Sequence, residues 1–186
     1  MIITKAPLEG LYIIELDIFS DNRGFFVERF NQEKFAINNL PVNFVQDTHS
    51  RSKPGVIRGL HAQIHPSQGK LVGVIRGKIL DVVVDIRPSS QSFGEHFAIE
   101  LSDENGKLLW IPEGFAHGFA VISDFDADVF YKVDALYCKD REFGIKSNDK
   151  DLAIDWKTTS PPIISERDLV MPSFADYKAK MHEIWK

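Results

Sequence analysis

Two short stretches concentrate side chains that can carry protons. Arg58-Gly59-Leu60-His61-Ala62-Gln63 sets a guanidinium three positions before an imidazole. Ile111-Pro112-Glu113-Gly114-Phe115-Ala116-His117-Gly118-Phe119 sets a second histidine among glycines and aromatics with little competing polarity. Histidine titrates near neutral pH, so either one suits general acid-base work or metal ligation. Taken singly, His117 reads first as a satisfied core residue. On an extended segment Arg58 and His61 fall on opposite faces, unless the chain bends at Gly59. The run Gln46-Asp47-Thr48-His49-Ser50-Arg51-Ser52 is polar enough for a solvated loop or a binding segment. Lys70 opens an apolar run and Tyr131 lies inside another, where lysine normally snorkels and tyrosine packs with its hydroxyl at an edge. Asp168, in Ser165-Glu166-Arg167-Asp168, reads by itself as a solvated surface charge.

The chain that must position these groups is patterned for strands. Leu80, Val82, Val84 and Ile86 share one face of an extended run while Asp81, Val83, Asp85 and Arg87 share the other, which predicts a half-buried strand. Lys70-Leu71-Val72-Gly73-Val74-Ile75 precedes it across Arg76-Gly77, and the pair predicts a hairpin. Similar runs occupy residues 11–19, 25–30, 44–46, 96–101, 108–111, 118–122 and 129–133, punctuated by turn-forming Asp, Asn, Gly and Pro. Many short strands with little helix between them predict a sandwich or barrel rather than a parallel α/β sheet. Helices are peripheral: Asn31 caps one over residues 32–38, and Ser173 caps another in which Phe174, Tyr177, Met181 and Ile184 recur at helical spacing.

At 186 residues the chain is sized for one domain, 1–186. Hydrophobic residues at 44% and charged residues at 26% permit a core and exclude a disordered or fibrous chain. A net charge of -5 excludes a nucleic-acid binder working through bulk positive charge. The one cysteine, Cys138, excludes an intrachain disulfide and a four-cysteine zinc site, and fits a reducing, cytoplasmic setting. No stretch approaches the ~18 apolar residues of a membrane helix, so neither export nor a membrane partner is expected.

In combination, five motifs appear in order: Asp21-Asn22-Arg23-Gly24-Phe25-Phe26-Val27-Glu28, Arg58 to Gln63 as above, Gly69-Lys70-Leu71-Val72, Asp81-Val82-Val83-Val84-Asp85-Ile86-Arg87, and Ile111 to Phe119 as above. This set resembles the dTDP-4-dehydrorhamnose 3,5-epimerase family from about Thr4 to Asp168, with Trp156 and residues 165–168 where the family has its last motifs. The resemblance implies an all-β, cupin-like double-stranded β-helix (jelly roll) with short peripheral helices, including a C-terminal one. It implies a homodimer and an isomerase that inverts carbons 3 and/or 5 of a nucleotide-linked 4-keto-6-deoxy sugar without cofactor or metal. The commonest family context is conversion of dTDP-4-dehydro-6-deoxyglucose to dTDP-4-dehydrorhamnose for a cell-surface polysaccharide.

Such a reaction needs a base, an acid on the opposite face and a group to stabilise the enolate. By resemblance His61 is the base, Asp168 its partner, Tyr131 the acid, and Lys70 the positive charge near the enolate oxygen. Arg23, Arg58 and Arg167 resemble diphosphate-binding residues, whose planar donor forks suit phosphate oxygens. Phe26 and Glu28 are expected near the nucleotide, with Arg23 and Glu28 reaching in from the partner subunit. Gln46, Asp47 and Thr48 fall on the substrate-contacting segment, and His117 and Glu142 match further binding positions. Four positions depart from the family: Thr48 replaces asparagine, Ala62 an aromatic, Leu136 a tyrosine and Ser147 a tryptophan. A pocket altered in this way leaves open a monofunctional 3- or 5-epimerase on a related deoxysugar nucleotide.

Two other classes compete. A metal-dependent cupin oxygenase fits Pro112-Glu113-Gly114-Phe115-Ala116-His117, yet its H-x-H pair is missing, since Ala62 and Gln63 follow His61 and the next histidine is His65. A non-catalytic sugar-nucleotide binder would be marked by loss of the base or the acid, and both are present.

Overall fold

The computed structural model describes residues 1–158 and 161–186. Its strands, in chain order, are β1 (Ile2–Lys5), β2 (Tyr12–Glu15), β3 (Ile18–Asp21), β4 (Gly24–Val27), β5 (Gln46–Ser52), β6 (Ile57–Gln63), β7 (Lys70–Arg76), β8 (Lys78–Asp85), β9 (His96–Ser102), β10 (Lys107–Ile111), β11 (Phe115–Val121), β12 (Ala127–Val133) and β13 (Glu142–Gly144). Six form a sheet in the order β1-β2-β10-β7-β12-β5, five form a second in the order β13-β6-β11-β8-β9, and β3-β4 stand apart as a hairpin. The two sheets make the expected jelly-roll sandwich.

Three apolar clusters hold it together. Val72, Val74, Val83, Leu109, Phe119 and Val129 belong to the cluster between the sheets. Val82, Val84 and Ile86 belong to another, which joins the five-stranded sheet to Phe174 and Tyr177 of helix α3 (Phe174–Ile184). On the six-stranded sheet, Leu71, Leu108 and Phe130 pack with Phe35 of helix α1 (Gln32–Ile37). Both helices start where their caps predict. Asn31 accepts from the Lys34 N–H at 3.1 Å, and Ser173 forms a capping box with Asp176, each cap being worth about 1 kcal/mol.

The hairpin expected between β7 and β8 does not form. Gly77, at φ +81°, turns the chain sharply, and the two strands then join opposite sheets: β7 bonds β10 and β12, whereas β8 bonds β11 and β9. The half-buried reading of β8 also fails. Its apolar face lies under α3, while Asp81 and Asp85 on the other face are fully buried within the sandwich. Each carboxylate is partnered there, Asp81 by His117 at 2.8 Å and Asp85 by Arg87, Ser90 and Ser92. The run 11–19 divides into β2 and β3 near Leu16, whose N–H bonds Gly106 instead of a sheet partner. Conversely, the polar run from Gln46 to Ser52 is strand β5, paired with β12 along its length.

Candidate active site

The interior cluster passes directly into a cavity of about 570 Å³ between the sheets. On β12 Val129 belongs to the core and Tyr131, two residues on, lines the cavity; on β7 the same step leads from Val72 to Lys70. Strand alternation thus delivers polar groups to one end of a dry interior. His61 and His117 line the cavity from β6 and β11 of the other sheet, where they are direct cross-strand partners.

The arrangement of Arg58 and His61 is decided at Gly59. Its φ is +109°, the pairing of β6 with β11 shifts register there, and Arg58 and His61 both reach the cavity. A Cβ at Gly59 would sit 2.6 Å from Gly118 Cα and from the His117 carbonyl oxygen, so only glycine fits the crossing. The Gly59 N–H donates to Asp168 Oδ2 at 3.2 Å, and Asp168 Oδ1 lies 3.0 Å from His61 Nε2. Asp168 comes from a single-turn helix, α2 (Glu166–Leu169), capped by Ser165, and is buried rather than a surface charge. Burial raises its pKa, but the bonds from His61, Gly59 and Ser165 outweigh that and hold it below the ordinary carboxylate value.

Lys70 is buried with Nζ 3.4 Å from the His61 carbonyl oxygen. Desolvation pulls its pKa down to about 8 against the opposing attraction of Glu142 and Asp81. Burial pushes the Tyr131 phenol up, partly offset by a hydrogen bond with Thr48 and the charge of Arg58. Thr48 is the cross-strand partner of Tyr131 and also receives the Gln46 amide at 3.2 Å.

Farther along the cavity, Glu142 accepts from the Tyr137 hydroxyl at 2.8 Å and from Arg167 in a short ion pair. Burial raises the Glu142 pKa, but the bonds from Arg167 and Tyr137 hold it below its ordinary value. Arg58, an exposed residue, donates to Ser52 Oγ at 2.9 Å and to the Arg51 carbonyl at 3.4 Å. Cationic Arg58, Arg167 and Lys70 around one cavity suit an anionic ligand.

The structure therefore brings together His61, Lys70, Tyr131, Asp168, Gln46, Arg58, His117, Glu142 and Arg167. Asp47 faces away from the cavity and pairs with Lys132 at 2.6 Å. Arg23, Phe26 and Glu28 lie on or beside the β3-β4 hairpin and line no part of this chain's own cavity. Arg23 is paired with Asp21 and its side chain is 86% exposed, Phe26 is 68% exposed, and Glu28 bonds Lys34 and Asn31. Sequence reading missed Tyr137, Ser50 and Gln68, which also line the cavity. Leu136, one of the departures from the family pattern, points to solvent. Ser50 was legible from alternation with Gln46 and Thr48 once the segment is a strand. Among the described residues, no three His, Cys, Asp or Glu side chains converge as a metal-ligand set, and His61 and His117 each face a carboxylate of their own.

A family model described as dTDP-4-dehydrorhamnose 3,5-epimerase matches residues 5–176. The Shigella flexneri protein of that name is 46% identical over 179 residues, covering 95% of this chain and 97% of the relative. Its counterpart from Methanothermobacter thermautotrophicus is 49% identical over 166 residues, covering 88% and 89%. The crystal structure of Legionella pneumophila dTDP-6-deoxy-D-glucose-3,5-epimerase in complex with dTDP-4-keto-L-rhamnose superposes with a TM-score of 0.91 at 42% identity, covering 96% of this chain and 95% of that one.

Proposed function

The chain belongs to the dTDP-4-dehydrorhamnose 3,5-epimerase family, and from that premise we propose how its own residues perform the inversion. It is an isomerase acting on a dTDP-linked 4-keto-6-deoxy sugar. One observation carries the assignment of roles: His61 and Tyr131 line a single cavity from opposite sheets, so a sugar ring between them meets a base on one side and an acid on the other.

With Nε2–H donated to Asp168, the other nitrogen of His61 holds a free lone pair. It takes a proton from the carbon beside the ketone, and the C–H electron pair moves onto the carbonyl oxygen as an enolate. The ammonium of Lys70 lies by that oxygen, where removing a single such stabiliser from other enzymes costs roughly 3–4 kcal/mol. Tyr131 returns a proton to the carbon from the opposite face. The carbon is inverted, and phenolate and imidazolium re-equilibrate with water. The two carbons flanking the ketone pass through the same cycle in turn.

Arg58 and Arg167 hold the diphosphate, with Glu142 releasing Arg167 as phosphate oxygens replace it. Tyr137, half exposed at 49%, offers an aromatic wall for the nucleotide. The solvent-facing β3-β4 hairpin, with Phe19, Phe25 and Phe26 exposed, inserts into the cavity of a second copy and supplies Arg23 and Glu28 there. The catalytic unit is thus a homodimer in which the domain formed by residues 1–186 shares its site with a second copy, and the single cysteine fits a cytoplasmic setting.

The test is proton exchange. Incubated in heavy water with dTDP-4-keto-6-deoxyglucose, the protein gains deuterium at both carbons beside the ketone, and NMR of the product shows the rhamno configuration. No exchange at either carbon overturns the reading.

A further inference from the structure

Residues 134–138 leave β12 and run to the single turn at Lys139–Arg141 without joining a sheet. Each of the five is nevertheless tied to the framework beneath. Asp134 Oδ1 accepts from the Gly69 N–H at 2.7 Å, and the Ala135 carbonyl accepts from Gln68 Nε2 at 2.8 Å. The Leu136 carbonyl accepts from Gln63 Nε2 at 3.1 Å. The Tyr137 N–H donates to Gln46 Oε1 at 3.0 Å, and the Cys138 N–H donates to Gln63 Oε1 at 2.7 Å.

Packing does little to fix this loop, because Leu136 is mostly exposed and Tyr137 half exposed. Amides do. Gln63, at the end of β6, is buried and central: its oxygen takes Cys138, one N–H takes Leu136, and the other is anchored on the Pro66 carbonyl at 2.8 Å. With the Pro66 carbonyl, the loop asks one side chain for two N–H donors and one acceptor, and among neutral side chains only a primary amide supplies that set without burying a charge. What the loop carries is Tyr137, whose ring lines the cavity and whose hydroxyl meets Glu142.

We propose that Gln63 is a positioning residue that acts through Tyr137: it fixes the aromatic wall at the nucleotide end before substrate arrives, and so sets affinity for the nucleoside diphosphate rather than the rate of proton transfer. A wall held in place beforehand loses little freedom on binding, which is where preorganisation gains affinity. This rests on the nucleotide-sugar reading of the cavity given above.

The experiment compares wild type with Gln63→Met and Gln63→Glu, titrating thymidine diphosphate and, separately, inorganic pyrophosphate by calorimetry, and measuring kcat and KM on dTDP-4-keto-6-deoxyglucose. Loss of the clamp raises the Kd of thymidine diphosphate and the KM by about tenfold or more, while kcat and pyrophosphate binding stay within about threefold. Tyr137→Ala weakens thymidine diphosphate by a similar factor, and Gln63→Met added to it causes no further loss. A fall in kcat as large as the rise in KM, additive effects in the double variant, or unchanged affinity each overturns the assignment. Should the Gln63 variants not fold, Gln68→Ala removes the Ala135 bond along with one side chain of the cavity wall; about a threefold rise in the same Kd that vanishes when Tyr137→Ala is already present supports the clamp, whereas no rise, or a rise that persists without the Tyr137 ring, overturns it. Failure of the wild type itself to bind thymidine diphosphate overturns the nucleotide reading instead.

Discussion

Asp168 reaches His61 from 107 positions away, and the 3.0 Å contact between Oδ1 and Nε2 leaves the other imidazole nitrogen for the proposed role of base. The same carboxylate receives the Gly59 N–H, so one buried group orients both the base and the strand bend that presents it. Asp168→Asn keeps the shape but turns an acceptor into a group that stabilises the wrong tautomer. In a serine-protease triad the equivalent change costs about 10⁴-fold in kcat. For this enzyme kcat falls by about 10²–10⁴ with KM little changed, measured by initial rates; a loss below tenfold counts against Asp168 as the orienting partner.

The duties proposed for His61 and Tyr131 are separable by experiment. His61→Asn abolishes solvent exchange at both carbons, because it removes the proposed base. Tyr131→Phe leaves the enolate able to form but without its proton donor on the far side, so exchange persists while inversion drops by about 10²–10⁴. Deuterium NMR of the recovered sugar distinguishes the two. Equal loss of exchange and inversion in Tyr131→Phe contradicts this division.

Lys70 trades stability for charge placement. Its folded pKa, about 8, lies below the ordinary 10.5, so between those values the unfolded chain binds a proton the folded one does not, and wild-type stability rises with pH. At neutral pH, keeping the ammonium charged in this buried position costs roughly 3 kcal/mol, the free energy equivalent of lowering its pKa from 10.5 to about 8. Lys70→Met therefore raises Tm at pH 7 and removes the alkaline rise in stability, while kcat falls by about 10²–10³. In the wild type, activity declines as pH passes 8 and the ammonium is lost. Denaturant titrations and rate profiles between pH 6.5 and 10 check both signs; a variant less stable than wild type at pH 7 refutes the account of Lys70.

The pattern of the chain displays the strands, the two caps and the peripheral place of the helices, because those follow from local periodicity and short-range hydrogen bonds. It hides what depends on the third dimension. The β8 face of Asp81, Val83 and Asp85 looks solvated until the second sheet covers it, and the β7-β8 pair looks like a hairpin until each strand's better partners are known. Asp168 looks like a surface charge because its partner is remote in sequence. The candidate site was legible only through the ordered motifs. Even those do not point to Tyr137 as part of the cavity wall, and do not reveal that Asp47 faces outward while Gln46 and Ser50 line the cavity. Alternation along β5 explains that split once the run is known to be a strand.

The exposed β3-β4 hairpin leads to a prediction about sharing between subunits. Arg23 and Phe26 lie outside this chain's own cavity, so if they serve catalysis they serve another copy. Arg23→Ala and His61→Asn are each strongly impaired as homodimers. Unfolded, mixed in equal amounts and refolded, the two chains form mixed dimers as about half of all dimers, and each mixed dimer has one cavity with an intact His61 facing the partner's intact Arg23. About one quarter of wild-type activity returns. A chain whose Arg23 served its own cavity would yield no restored site in any mixed dimer, because every cavity would then lack one group or the other. Recovery near one quarter, with the dimer mass confirmed by light scattering, fits a site built across two subunits; mixtures as inactive as their parents exclude it.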